Sequence, residues 1–264
     1  MSRSESASPQ ADLKIALEEL QSALNGRLLT PGDDEYEQAR VVFPGGIDRR
    51  PGAVALVADA EDVRRVVAYA RDTGTELAVR GGGHSGAGHG TTDGGIVLDL
   101  RKLNSIEIDV AGRTAWAGAG LTAGEYTTRT GTYGLATGFG DTGSVGIGGL
   151  TLGGGVGYLV RKYGLTIDNL LAADMVTADG QELRVDPQTN PDLFWAIRGG
   201  GGNFGVVTQF RFRLESVDTI LGGMLLLPAT PPIVASFIAE AEAAPDELST
   251  IANVMPAPPM PFVP

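Results

Sequence analysis

The sequence predicts an α+β protein built without a Rossmann unit, and three observations lead there. Helical and strand periodicities mix along the chain, and several strand-like runs follow one another with no helix between them. The glycines gather in blocks at 81–90, 118–124, 138–157 and 199–205 rather than at a regular period. The stretch 200-GGGNFG-205 fits G-x-G-x-x-G, but a helix-like segment precedes it and a strand-like one follows. A dinucleotide fingerprint needs the reverse order.

Residues 1–11 show no periodicity and are expected to be a disordered lead. The segment 12-DLKIALEELQSALNG-26 puts Leu13, Leu17, Leu20 and Leu24 on one helical face, with Gly26 as its stop. Residues 53-AVALV-57 read as a strand. The following 60-AEDVRRVVAYARDTG-74 is an amphipathic helix with Asp59 as N-cap, an inner face of Val63, Val66, Val67 and Ala70, and Gly74 at its end. Strand 76-ELAVR-80 runs directly into 80-RGGGHSGAGHG-90. Strands are expected at 95–100, 105–110 and 113–120, and a helix at 121–133 closing near Gly134. Residues 172–178 and 181–185 form a hairpin around Asp179-Gly180. A short helix over 191–198 opens on Pro191, and a strand covers 206–214. From 219 the composition changes to one more strand, 220-ILGGMLLL-227, and a helix around 232–243. The ending 255-MPAPPMPFVP-264 reads as a chain cut short of a domain end.

Composition narrows the function classes. The formal charge is −12, so a basic nucleic-acid footprint is absent. There is no cysteine, which removes disulfides, thiolate metal ligands and cysteine nucleophiles. No apolar run approaches the ~20 residues of a membrane span, and the N-terminus lacks a signal-like apolar core. The expectation is a cytoplasmic protein with neither a nucleic-acid nor a membrane partner. Glycine, at 39 of 264 residues, stands well above the usual ~7%.

Both histidines of the chain, His84 and His89, lie in the loop after Arg80. Several chemistries compete for them. The stretch 83-GHSGA-87 has alanine where a nucleophile elbow needs glycine, which disfavours a serine hydrolase. His84, His89 and Asp93 offer metal ligands, but so glycine-rich a loop holds three ligands poorly. A turn histidine bonded to local backbone is the plain alternative. The context favours another reading. Successive amides of Gly81, Gly82 and Gly83, delivered by a strand that ends at Arg80, make a nest for an anion such as a pyrophosphate. Ser85 adds a hydroxyl donor to that nest.

The set 80-RGGGHS-85, 95-GIVLDL-100, Gly118-Ala119-Gly120, 144-SVGIGGLTLGGGVG-157, 161-RKYGLTIDNL-170 and 192-DLFWAIRGGGGNFGVVT-208 resembles FAD-linked oxidases. The group is the berberine-bridge-enzyme-like branch of the vanillyl-alcohol oxidase / PCMH-type superfamily. The resemblance covers about residues 35–215 and implies two mixed α/β subdomains gripping FAD between them. It divides the chain into an N-terminal lead and helix (1–34), a PCMH-type FAD-binding domain (35–215) and the beginning of an antiparallel-sheet substrate domain (216–264).

The resemblance also implies roles. His84 stands at the position that bonds covalently to the flavin, and such a bond raises the flavin potential and retains the cofactor. His89 is given a positioning role. Arg80, Gly81, Gly82, Gly83 and Ser85 join the cofactor-binding set. Relatives with a second flavin link carry a cysteine where Thr142 stands, so this chain is at most monocovalent. Leu150 replaces a histidine of plant-like members. Val145 falls at the oxygen-gate position, where a small residue goes with O2 as acceptor. Thr142 and Ser144 also join the cofactor-binding set, Gly146, Gly148, Gly149, Gly153, Gly154 and Gly157 line the path of the ribityl and pyrophosphate, and Gly205 and Val207 lie on the strand that returns to the cofactor. Tyr158 and Tyr163 are expected in the core, Trp116 and Trp195 without a role, and Arg161 and Lys162 as solvated charges. The catalytic base belongs to a part not contained in this sequence. The implied activity is oxidation of an alcohol, sugar or related small molecule by hydride transfer to flavin, with O2 as acceptor. A dehydrogenase with another acceptor and a non-catalytic flavin-binding fragment remain the alternatives.

Overall fold

The computed structural model describes residues 17–217 and 219–256. Residues 17–23 form helix α1; Leu20 and Leu24 bury and Leu17 packs beside them, while Leu13 lies outside the described residues. The first sheet follows, from β1 (Arg27–Leu29), α2 (Tyr36–Arg40), β2 (Ala53–Leu56), α3 (Ala60–Thr73), β3 (Leu77–Arg80) and β4 (Ile96–Asp99). Its strand order is β1-β2-β4-β3, with β2 and β3 parallel to β4 and β1 antiparallel to β2. The α3 crossover thus leaves a central gap, which β4 fills.

Helix α3 starts and stops where its sequence says. The Asp59 carboxylate accepts the Asp62 amide at 2.9 Å, and Gly74 closes the helix at φ 69°. Val63, Val66, Val67 and Ala70 are buried. Asp62 is buried on the same face, and sequence periodicity gives no hint of it. Its carboxylate accepts the amides of Asn25 (2.8 Å), Gly26 (2.8 Å) and Ala58 (3.0 Å), which compensates its burial and ties the α1–β1 turn to α3.

The second sheet comes from β5 (Ile106–Asp109), β6 (Thr114–Gly118), α4 (Ala123–Gly131), β7 (Leu135–Ala136), α5 (Ile147–Leu152), α6 (Val160–Tyr163), β8 (Leu170–Val176), β9 (Glu182–Val185), α7 (Pro191–Gly200) and β10 (Val206–Arg213). Its order is β5-β6-β10-β8-β9, antiparallel throughout. Gly180, at φ 84°, makes the expected β8–β9 turn. Strand β11 (Glu215–Ser216) pairs with β7, and α8 (Pro231–Ala243) is the last element among the described residues. Phe210 and Phe212 of β10 point inward, and Phe212 meets Tyr126 and Phe139 edge-on at 5.8 and 5.3 Å. Burial pushes the Tyr126 phenol well above its ordinary pKa; its hydroxyl pairs with that of Thr137 at 3.0 Å. Helix α3 touches β4, β8 and β10, so one core joins both sheets.

Two expectations fail. Residues 220–227 form no strand: Leu221 is 92% exposed, and no described strand lies beside them. An apolar run becomes a strand only with a ladder partner. Among the described residues, the part from 216 on contributes Ser216 to β11 and the helix α8. Second, Arg161 is no solvated charge. Its guanidinium donates to the carbonyls of Ala241 (2.8 Å) and Ala244 (2.7 Å), where α8 leaves its last carbonyls unpaired, and to that of Leu248 (2.9 Å) just beyond the helix. Lys162 adds an ion pair with Glu247 at 3.1 Å. Among the described residues no helix is long and apolar enough to cross a membrane.

Candidate functional site

Strand β3 delivers the glycine loop from a fixed base. Arg80 lies opposite Asp99 in the β3–β4 register, and both are buried. Arg80 Nε and Nη2 donate to Asp99 Oδ2 at 2.9 and 2.7 Å, and Nη2 also reaches the Ala39 carbonyl. Arg101 shares the same carboxylate oxygen at 2.7 Å. Burial pulls the Arg80 guanidinium below its ordinary pKa, with Asp99 opposing. The Arg80 side chain is committed inward, where it pins the C-terminal end of α2 and the start of the loop.

Beyond Arg80 the chain turns with Gly83 at φ 71° and Gly88 at φ 75°. The Phe43 amide donates to Gly83 O at 3.1 Å, and Arg49 donates to the carbonyls of Gly88 (3.0 Å) and Thr91 (2.9 Å). The loop is thus stapled to the β1–β2 connection. The amides of Gly82, Gly83 and His84 meet no acceptor among the described residues. Ser85 Oγ takes only the long His89 amide contact, 3.4 Å, and His89 itself is exposed. Asp93, once a candidate ligand beside the histidines, accepts the Arg50 amide at 2.8 Å.

The second glycine block lies directly against this loop. Gly124 and Ala123 donate to the carbonyls of Gly143 and Val145 at 2.8 Å each, and Ile147 donates to Leu121 at 2.9 Å. This ladder presents residues 144–146 to Gly82. A methyl on Gly82 would come within 2.2 Å of Gly146 N, and one on Gly146 within 2.2 Å of Gly82 N. Across the junction Ser144 Oγ lies 3.1 Å from His84 Nε2, and Phe43 stacks on the imidazole at 4.0 Å and 16°.

The structure divides the predicted glycines into two kinds. Gly82, Gly146, Gly148 and Gly157 are tight against protein backbone, whereas methyls on Gly149 and Gly154 would meet nothing within 4 Å. A methyl on Gly153 would lie 3.3 Å from the Gly149 carbonyl oxygen, and one on Gly205, whose φ is 142°, 2.5 Å from that of Val176. A methyl on Gly81 would meet only the Ala119 carbonyl oxygen, at 3.8 Å. Val207 is buried in the core and pairs with Met175. Val145 is half-buried; Thr142 is exposed and bonded to Asp141. Tyr158 is 55% exposed rather than in the core, and it borders an open cleft of about 670 Å³ with Val156, Val160, Phe237 and Ile238. Tyr163 donates to the Ser216 carbonyl at 3.2 Å, and Trp116 lies under Arg184 at 4.6 Å. Sequence reasoning missed Phe43, which carries no motif and reaches His84 only through the fold.

Unpaired successive amides, a hydroxyl, a braced imidazole and glycine faces open to solvent suit a phosphate-bearing cofactor with a ring that approaches His84. The comparisons agree. A family model described as FAD binding domain matches residues 51–186. The (R)-6-hydroxynicotine oxidase of Paenarthrobacter nicotinovorans is 44% identical over 77% of this chain and 44% of that protein. A berberine-bridge-enzyme-like protein of Physcomitrella patens superposes at TM-score 0.72 with 34% identity, over 76% of this chain and 44% of that one. The glucooligosaccharide oxidase of Acremonium strictum, described with a 6-S-cysteinyl, 8α-N1-histidyl FAD, gives TM-score 0.71 and 30% identity over 75% and 42%. The chain spans about half the length of the curated relatives it matches. It belongs to the FAD-binding-domain family of FAD-linked oxidoreductases, with berberine-bridge-enzyme-like oxidases among its relatives.

Proposed function

We propose that the chain is the flavin-binding part of an oxidase that acts on an alcohol, sugar or related small molecule, with FAD bonded to His84 and O2 as acceptor. The observation that carries this reading is the junction of the two glycine segments, where a half-buried His84 is braced between Phe43 and Ser144. When bound, the flavin supplies hydride acceptance at its ring. The residues of the chain bind and orient it. The amides of Gly82 and Gly83 and the Ser85 hydroxyl would hold phosphate oxygens, and Gly149 and Gly154 leave room for the cofactor. Val145, half-buried beside this junction, is assigned the oxygen-gate position. The domain divisions at 34 and 215 belong to the same proposal, as does a cytoplasmic setting, which fractionation of a tagged chain tests.

An absorption spectrum before and after acid precipitation tests the attachment. Colour retained in the pellet, mapped to the His84 peptide and lost in His84→Ala, supports it. Colour released to the supernatant leaves FAD binding but removes the bond. The unpaired 220–227 segment favours a second reading, a flavin-binding fragment without turnover. A substrate panel with flavin reduction as the signal separates the two.

A further inference from the structure

A flavin bond at His84 does not by itself explain why two further side chains grip the ring. Phe43 is 68% exposed, so burial does not account for its position, yet it lies flat on the imidazole at 4.0 Å. Its backbone amide bonded to Gly83 O holds it there. Ser144 comes from the other glycine segment and places Oγ 3.1 Å from Nε2. Stacking fixes the plane of the ring, and the hydrogen bond fixes its rotation, with Nε2 turned to Ser144. His84 Nδ1 has no protein partner among the described residues.

We propose that Ser144 and Phe43 are positioning residues for flavin attachment, holding His84 with Nε2 turned to Ser144 and Nδ1 free to form the bond. The proposal rests on the covalent-flavin reading above. In the step, the Nδ1 lone pair forms a bond to the flavin 8α carbon, and a proton leaves that methyl carbon. The electron pair of the broken C–H bond passes into the flavin ring. Imidazole that is bonded at Nδ1 must shed its Nε2 proton, and Ser144 Oγ accepts that hydrogen bond and hands the proton to water, since Ser144 is exposed. The ring gains two electrons and two protons in all. O2 then removes both as hydrogen peroxide, which restores the oxidised flavin. Ser144 serves this step because a hydroxyl both donates to a neutral nitrogen and accepts from a protonated one.

The test uses the whole 264-residue chain, produced under riboflavin starvation and mixed with FAD. Covalent flavin is read over time as fluorescence of the denatured band on a gel, and non-covalent FAD affinity by quenching at the first time point. At saturating FAD, where any change in affinity drops out, Ser144→Ala is expected to slow attachment about tenfold, the size expected for one lost hydrogen bond to a group that gains charge. Ser144→Thr keeps the hydroxyl and is expected to recover most of the rate. Phe43→Ala should slow attachment and Phe43→Tyr should not. Equal rates in wild type and Ser144→Ala, or a Ser144→Thr as slow as Ser144→Ala, overturn the positioning role. A wild-type chain that binds FAD and never bonds it overturns the covalent reading itself, and with it this proposal.

Discussion

Replacing Gly82 with alanine tests whether the two glycine segments are pressed together as described. The φ of Gly82 suits any residue, so the effect comes from contact alone. The new methyl would meet Gly146 N at 2.2 Å, Gly146 Cα at 2.9 Å and Ser144 O at 3.1 Å, all backbone. Ordinary contact begins at 3.4 Å, so the segments must separate by about 1.2 Å. Overpacking of this kind costs about 1–3 kcal/mol. For a chain of this size that lowers the melting temperature by roughly 2–12 °C. A shift of that size also exceeds the ~0.5 Å within which a reacting constellation must be held. Covalent flavin should therefore be lost along with the stability. The control is Gly149→Ala, whose methyl meets nothing within 4 Å. In α5 it should leave the flavin-free chain as stable as wild type or up to about 1 kcal/mol more so, yet weaken FAD uptake. Calorimetry of the flavin-free chains and gel fluorescence of the flavin-treated ones give both readouts. A Gly82→Ala chain that melts and takes up flavin like wild type would refute the packing argument.

Further outcomes follow from other parts of the molecule. Asp99→Asn leaves the buried Arg80 without its counter-charge and should cost about 3–5 kcal/mol, a fall of roughly 6–20 °C in melting temperature; a change under about 2 °C counts against the anchor role. Arg161→Met removes donors from two carbonyls at the end of α8 and one just beyond it, and a broad-specificity protease should then cut after residue 216 about tenfold faster. Unchanged digestion would mean that α8 is held otherwise. The Asp62 amide holds the Asp59 carboxylate below the usual carboxylate range. Its contribution is present above the unfolded pKa and fades as pH falls through the folded one. The stability gap between wild type and Asp59→Ala, about 1 kcal/mol, should hold from pH 7 to 5 and close below roughly pH 4; a gap that persists in acid would show that the cap works without its charge. Val145→Leu should slow flavin reoxidation by O2 more than flavin reduction; equal effects would leave Val145 a packing residue.

Local signals carried much of this fold. The α3 pattern, its Asp59 cap and its Gly74 stop, the Asp179-Gly180 hairpin turn and the Pro191 helix start all depend on neighbours within a few residues, and all appear where the sequence puts them. The order helix, glycine run, strand around 200–205 likewise excludes a Rossmann unit from sequence alone. The His84 loop was legible as a site because glycine-rich segments that carry both histidines are rare, and because several motifs fall in family order.

Long-range pairing decided the rest. Arg80 reads as a loop residue until β3 and β4 align and bring Asp99 opposite it. Arg161 reads as a surface charge until α8 folds back and offers its carbonyls. The strand expected at 220–227 had the right composition but needs a neighbouring strand, and hydrogen-bond partners are not a property of the segment itself. The glycines show the division most clearly. Glycine positions in the sequence mark where backbone is unencumbered; only the tertiary structure separates Gly82 and Gly146, which let two loops touch, from Gly149 and Gly154, which face open space. Close approach is a relation between segments distant in the chain, and Phe43, Ser144 and His84 meet for the same reason.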